Sequence, residues 1–373
     1  MNALWLSLVV AASAFADLSN PPLLSYSTYL TGSKGSYGHG VAFDSAGNAY
    51  ISGYALSQDF PFTLPPLGPP SSGPACCGYI AKLNPTGTAI VWSVRLNAPS
   101  AGPIALDAAG SIYVLGTSRR SDDSIASWAV TKITPSADRI VYSTMIPAET
   151  AAFVADPAGN VYVTGLAGPG FPTTPGAYLM QLATGDDAFV VKLNPTGAIV
   201  YATYTGMTGQ GNAIAPDSQG NVWITGTTLD SRSFVAKLDA VGAKLLSSTQ
   251  FGGGSEYVSP AMSLGIAVDS HDAAYVVGQA GLGVPTTPGS LEPFDPGHGD
   301  YLAGYLVKFS PNGDVVYGTY VGEDEQTAQS IAVDASGNAY VGLNGTYFIN
   351  NAYPACVGND ASSLIVVSAD GSK

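Results

Sequence analysis

Hydrophobic and polar positions follow one pattern six times along this chain. A run of small and aliphatic residues ends in an acid, a glycine-bearing turn follows, and an aromatic residue with a β-branched or aliphatic neighbour resumes the apolar run. The copies are HGVAFDSAGNAYISG (His39–Gly53), PIALDAAGSIYVLG (Pro103–Gly116), FVADPAGNVYVTG (Phe153–Gly165), AIAPDSQGNVWITG (Ala213–Gly226), GIAVDSHDAAYVVG (Gly265–Gly278) and SIAVDASGNAYVGL (Ser330–Leu343). The acid is Asp44, Asp107, Asp156, Asp217, Asp269 or Asp334, and six positions later stands Tyr50, Tyr113, Tyr162, Trp223, Tyr275 or Tyr340. A third segment reads YIAKL (Tyr79–Leu83), AVTKI (Ala129–Ile133), FVVKL (Phe189–Leu193), FVAKL (Phe234–Leu238) and YLVKF (Tyr305–Phe309), with Leu364–Val367 as a sixth copy that has lost its lysine. A fourth follows, as in IVYSTM (Ile140–Met145) and IVYATY (Ile199–Tyr204). Short alternating or β-branched runs bounded by Gly, Pro, Asn and Asp predict strands joined by hairpins. The Asp-x-x-Gly-Asn links suit a type I turn with glycine in the left-handed position. The links Asn84–Gly87 and Asn194–Gly197 suit a turn in which Pro fixes φ and Gly supplies a positive φ.

Internal repetition at this period means a solenoid, a propeller or an array. Four antiparallel strands per unit describe a propeller blade. The fold expected is therefore all-β, a six-bladed β-propeller, with seven blades as the alternative. The fourth segment runs out of phase: its first copy, LSYSTYL (Leu24–Leu30), precedes the first Asp-turn unit. That offset predicts that the N-terminal strand completes the last blade beside Leu364–Val367 and closes the ring, which would remove an open edge.

These units resemble the bacterial β-propeller repeat called SBBP, a repeat of secreted or cell-surface proteins. YSTYLTG (Tyr26–Gly32), the Asp-x-x-Gly-Asn-x-Tyr-Val-x-Gly segments, FPTTPGAY (Phe171–Tyr178) and DAFVVKLNPTG (Asp187–Gly197) carry the resemblance, from about Leu24 onward. The family's usual name implies seven blades where six are counted. The resemblance implies no defined activity and no catalytic residues.

Composition agrees with a turn-rich fold: 46% of the 373 residues are hydrophobic, 11% are charged, and there are 45 Gly and 26 Pro. The 27 acids against 13 bases give a formal charge of −14, which repels phosphate backbones and anionic headgroups, so nucleic acid is not expected as a partner. Residues 1–16 read as a signal peptide, with an apolar run from Leu4 to Ala12 before Ala14-Phe15-Ala16, leaving a propeller domain at 17–373. Export to the periplasm, the cell surface or the medium is the localisation expected. No later stretch reaches the ~20 apolar residues of a membrane span.

Long insertions between second and third segments fall at Tyr54–Gly78, Leu166–Ala188, Gln279–Gly304 and Asn344–Ser363. They carry Phe60-Pro61, FPTTPG (Phe171–Gly176) and VPTTPG (Val284–Gly289). Ordered loops on a rigid scaffold are common binding sites, which makes Phe171, Thr173, Thr174, Thr286 and Thr287 the ligand-binding candidates. Capping of blade hydrophobics and shielding of edges is the other role such loops serve. Cys76 and Cys77 lie in the first insertion and Cys356 in the last, so a closed ring would let Cys356 pair with Cys76 or Cys77. A Cys76–Cys77 bridge or free thiols are the alternatives.

Lys82, Lys132, Lys192, Lys237 and Lys308 recur at one position, as does the acid. A single active site needs unique groups, so this pair reads as structural: Asp orders its turn and Lys pairs within the blade. One carboxylate per turn falls short of the six to eight oxygens of a calcium site, and three cysteines without nearby histidine fall short of zinc. No hydrolase elbow or zinc-protease motif occurs around His39, His271 or His298. No catalytic residue, metal or cofactor is assigned. The function expected is a non-enzymatic scaffold, a monomer, binding polysaccharide or an envelope protein through long loops on one rim. The alternative is a propeller enzyme of lactonase or lyase type with its site at the channel.

Overall fold

The computed structural model describes residues 26–68, 77–97, 100–119, 125–182, 185–253, 260–294, 302–324, 326–345 and 361–373. All regular structure among them is β. Blade 1 holds β1 (Ser36–Phe43), β2 (Ala49–Ala55), β3 (Cys77–Leu83) and β4 (Ile90–Leu96); blade 2 holds β5 (Ser100–Leu106), β6 (Ile112–Arg119), β7 (Ile125–Ile133) and β8 (Ile140–Ile146). Blade 3 follows with β9 (Glu149–Ala155), β10 (Val161–Ala167), β11 (Asp187–Leu193) and β12 (Ile199–Tyr204), and blade 4 with β13 (Gly209–Pro216), β14 (Val222–Thr228), β15 (Ser233–Leu238) and β16 (Leu245–Phe251). Blade 5 is β17 (Met262–Val268), β18 (Ala274–Ala280), β19 (Ala303–Phe309) and β20 (Val315–Asp324); blade 6 is β21 (Thr327–Val333), β22 (Ala339–Gly345) and β23 (Ala361–Val367). Each sheet runs in chain order, five of them four-stranded and the last three-stranded among the described residues. The fold is a six-bladed β-propeller, as the repeats predict.

The described residues divide into two compact units, 26–161 with Lys192–Val200, and Tyr162–Val191 with Tyr201–Lys373. Within the first, β5 packs across β1, β2 and β3; within the second, β17 packs across β13, β14 and β15, and β21 across β17, β18 and β19. Apolar side chains fill these blade-to-blade layers. Tyr50, Ile80 and Val94 of blade 1 meet Ile104, Ile112 and Val114 of blade 2. Trp223, Val235 and Phe251 of blade 4 meet Val276, Tyr305 and Val307 of blade 5.

The repeated acid, aromatic and lysine form one stack. Pairing of the second and third strands sets Tyr50 opposite Lys82, Tyr113 opposite Lys132, Trp223 opposite Lys237 and Tyr275 opposite Lys308. Each ammonium then lies 4.6–4.9 Å above its ring centre. It also reaches the turn carboxylate, from 3.0 Å at Asp44 and Asp217 to 3.2 Å at Asp107 and 3.7 Å at Asp269. The carboxylate's other oxygen accepts backbone N–H bonds across its own turn, as from Ala46 and Asn48 to Asp44. Glycines such as Gly47 (φ 80°) and Gly110 (φ 77°) close these turns in the left-handed region. The stack also stitches blades together: Lys237 Nζ donates to the Pro311 carbonyl at 2.9 Å, and Tyr275 Oη to the Gly337 carbonyl at 3.0 Å.

Blade 5 departs from the glycine rule. Asp272 holds the left-handed position at φ 65°, where a side chain costs about 1–2 kcal/mol. Its carboxylate accepts Ser218 N–H at 2.8 Å and Ser218 Oγ–H at 2.9 Å from the turn of blade 4. The substitution that reads as drift in the sequence is a second cross-blade clamp.

The N-terminal segment differs from its expected role. Of Leu24–Leu30, the described part, Tyr26–Leu30, is not in a strand, and β23 has no fourth-strand partner among the described residues. Tyr26 still occupies an outer-strand site. Its ring covers Gly87 as Tyr142 covers Gly197, Tyr201 covers Gly242 and Tyr317 covers Gly371, leaving no room for a Cβ at these turns. Tyr29, whose counterparts Tyr204 and Tyr320 are buried, is 86% exposed.

Burial raises the Asp44 carboxyl, but bonds from Asn48 and Lys82 outweigh it and hold the group at about 2, below its ordinary 3.8. Asp107 and Asp334 shift downward by the same balance, with Ser111, Tyr113 and Lys132 bonded to the first and Asn338, Ser336 and Tyr340 to the second. A carboxylate depressed in the folded state stabilises it above the unfolded pKa and loses that contribution as pH falls through the folded value. The urea midpoint is expected to hold from neutral pH down to about pH 4 and to drop between about pH 4 and 2. A midpoint unchanged over that window would contradict the stack's charge.

Candidate functional site

Chain insertions and inner-strand ends meet at the blade ends opposite the Asp turns. The insertions of blades 1, 3 and 5 share the pattern apolar-Pro-x-Thr: Phe60-Pro61-Phe62-Thr63, Phe171-Pro172-Thr173-Thr174 and Val284-Pro285-Thr286-Thr287. Each turns back along the outer strand of its own blade. Thr174 N–H donates to the Ala202 carbonyl at 3.0 Å, and Ala202 N–H returns a bond to Thr174 Oγ1 at 3.1 Å. Thr63 brackets Ser93 in the same way, and Thr287 brackets Gly318. Further on, Tyr204 N–H donates to the Leu179 carbonyl and Tyr320 N–H to the Glu292 carbonyl, so the covering segment runs a strand's length.

The five residues singled out in the sequence therefore have clear places. Phe171 is buried, with its ring 5.0 Å from Phe189 and 5.6 Å from Tyr204. Its N–H donates to Tyr204 Oη, which donates to the Gly168 carbonyl. Thr173 Oγ1 donates to the Met180 carbonyl, Thr286 N–H to the Val284 carbonyl, and Thr174 and Thr287 form the brackets. All five hold the covers in place. The exposed apolar side chains of the covers are others: Tyr178 and Met180 on blade 3, Leu291 and Phe294 on blade 5. Cys76, Cys356 and His298 lie outside the described residues, and Cys77 opens β3 opposite Ala55.

A second group was not singled out in the sequence. The inner strands of blades 1, 4, 5 and 6 each carry a β-bulge five residues before the turn acid, at His39, Asn212, Leu264 and Gln329. A bulge re-aims its extra residue. Asn212 Nδ2 donates to Thr227 Oγ1 at 3.1 Å and to the Ser263 carbonyl of blade 5 at 2.9 Å. Thr327 of blade 6 donates to Gln279 Oε1 of blade 5 and sits opposite Asn344. Across blades 4 to 6 this makes an arc of amides and hydroxyls: Asn212, Thr227, Gln279, Thr327 and Asn344. Beneath it the buried Tyr305 hydroxyl meets Ser233 at 2.9 Å and Ser263 at 2.7 Å, and burial pushes its pKa well up. In blade 1 the same level holds Tyr37 stacked on Tyr54, centroids 6.4 Å apart, and His39 Nδ1 bonded to the Ala101 carbonyl at 2.9 Å. The available signal was a position that varies (His, Gly, Ala, Asn, Leu, Gln) inside an otherwise regular repeat.

Among the described residues no group of three or more His, Cys, Asp or Glu could hold a metal ion. The buried Asp187 accepts Thr205 N–H, Thr205 Oγ1–H and Gly206 N–H at 3.0–3.1 Å; burial pushes its carboxyl up against those bonds. It ties down the crossing that leaves β12.

Residues 25–61 match the family model of the SBBP beta-propeller repeat. No curated protein matches the chain. Among solved structures, a luciferin-regenerating enzyme is similar at 11% identity and TM-score 0.44 over 92% of each chain. The WD40 beta propeller domain of Doa1 is similar at 8% identity and TM-score 0.46, over 84% of this chain and 77% of that one. The Neurospora crassa Pan2 WD40 domain is similar at 13% identity and TM-score 0.44, over 82% and 74%.

Removing a bracket leaves a buried N–H without its acceptor, which costs about 1–3 kcal/mol. Thr174→Val and Thr287→Val are each expected to lower unfolding free energy by that amount in urea titrations. A cost below about 0.5 kcal/mol would mean that the covers are not held by these bonds.

Proposed function

We propose that this protein is an exported, non-enzymatic binding scaffold, and that its ligand is a neutral polysaccharide held at the inner-strand arc. The observation that carries the proposal is the arc's chemistry. Asn212, Thr227, Gln279, Thr327 and Asn344 offer directional donors and acceptors over three successive blades with no charged side chain among them. Among the described residues Asn212 Oδ1 and Gln279 Nε2 make no further hydrogen bond. Such groups suit the hydroxyls of a sugar. The apolar segment at 4–12, read as a signal peptide, supports export. An acidic surface with a formal charge of −14 disfavours anionic glycans.

A glycan array followed by calorimetry on the whole chain tests this. Neutral oligosaccharides are expected to bind with little dependence on salt. Asn212→Ala and Gln279→Ala are each expected to weaken binding about tenfold, the loss of one to two hydrogen bonds. Binding confined to anionic glycans, or untouched by both substitutions, would overturn the proposal.

A further inference from the structure

Covers shield the outer strands of blades 1, 3 and 5; β16 of blade 4 and β8 of blade 2 lack one among the described residues. Residues 201–204 of β12 and 317–320 of β20 are all buried, whereas β8 and β16 alternate between partly buried and exposed up to their last residue. The link between β14 and β15 is only Leu229–Arg232, too short to turn back along β16.

The open edges keep the features that the covers use. Gly318 stands opposite Val307 and Ser93 opposite Ala81; in the same register Ser248 stands opposite Ala236 and Ser143 opposite Thr131. Main-chain N–H and C=O of Ser93, Ala202 and Gly318 point away from the third strand and are bracketed by threonine. The equal register gives Ser143 and Ser248 the same outward pair. Small residues stand at all five positions, and at Gly318 a larger one would strike the passing Pro285 carbonyl.

We infer that these two edges, β16 above all, are docking sites for an extended Pro-x-Thr segment of a partner polypeptide, added as a further strand. The occupant follows from the molecule itself: three times in this chain the same edge is filled by that sequence, with threonine Oγ1 accepting the second bond of the bracket from the outer-strand N–H. Strand addition of this kind draws affinity from main-chain bonds and selectivity from alternate side chains.

The test uses a fluorescent peptide with the sequence of Phe171–Met180, FPTTPGAYLM, titrated into the whole chain and read by anisotropy. Saturable binding is expected. Ser248→Pro and Ser143→Pro each remove one outward N–H without touching the ladder. Each should reduce the number of sites, and the double variant should abolish binding while melting near the parent. A peptide N-methylated at the threonine corresponding to Thr174 lacks the key donor and leaves the protein unaltered. It should bind at least about tenfold more weakly. Absence of saturation up to about millimolar peptide, full binding by the double variant, or equal binding of the N-methyl peptide would each overturn the inference.

Discussion

One interaction sets the architecture: the ammonium of the third strand held between an aromatic face and a turn carboxylate of the same blade. It fixes three things at once. The carboxylate shapes the tight turn between first and second strands, the ring orients the second strand, and the lysine reaches on to a carbonyl of the following blade. In blade 4 the pair is nearly sealed from water, with side-chain exposures of 6% for Lys237 and 0% for Asp217. Breaking a buried pair leaves an uncompensated charge, a loss of about 3–5 kcal/mol. Blade 6 shows the limit of the rule: Val366 faces Tyr340 there, and Asn338 and Tyr340 supply the bonds to Asp334.

With one blade end fixed by these turns, variation moves to the other. There the insertions are spent on their own outer strands, and the bulged inner strands present the side chains that differ from blade to blade. The division has a physical cause. An outer strand offers unpaired main-chain groups and invites association. Three blades answer with a Pro-x-Thr cover, while side chains at the inner-strand ends, Asn212 and Thr327 among them, are half-buried.

Much of this was legible in the sequence because it repeats. Asp44 and its copies, the aromatics six residues later and the lysines announce their register by recurrence, and the glycine turns close where Gly47 and Gly197 predicted. What was not legible depends on partners far away in sequence. The bond from Asn212 to Ser263 spans 51 residues and that from Ser218 to Asp272 spans 54, so neither leaves a local pattern. The threonines of FPTTPG read as ligand contacts or as covers, and the bond from Ala202 N–H to Thr174 Oγ1 spans 28 residues, so it leaves no local pattern either. LSYSTYL matches a fourth strand residue by residue, yet Tyr26–Leu30 is not in a strand. Tyr204 and Tyr320 are anchored by the Gly168 and Gly281 carbonyls of their own insertions, and Tyr29 has no such bond among the described residues.

The most direct measurement of the central claim is a double-mutant cycle on Asp217 and Lys237, with Asp217→Asn and Lys237→Met alone and together, read as unfolding free energy. The stack predicts that each single change is costly and that the pair couples by at least about 2 kcal/mol, so the double variant loses far less than the sum. Additive losses, with coupling below about 0.5 kcal/mol, would show that the turn and the lysine act independently and that the blades are held by their apolar layers alone.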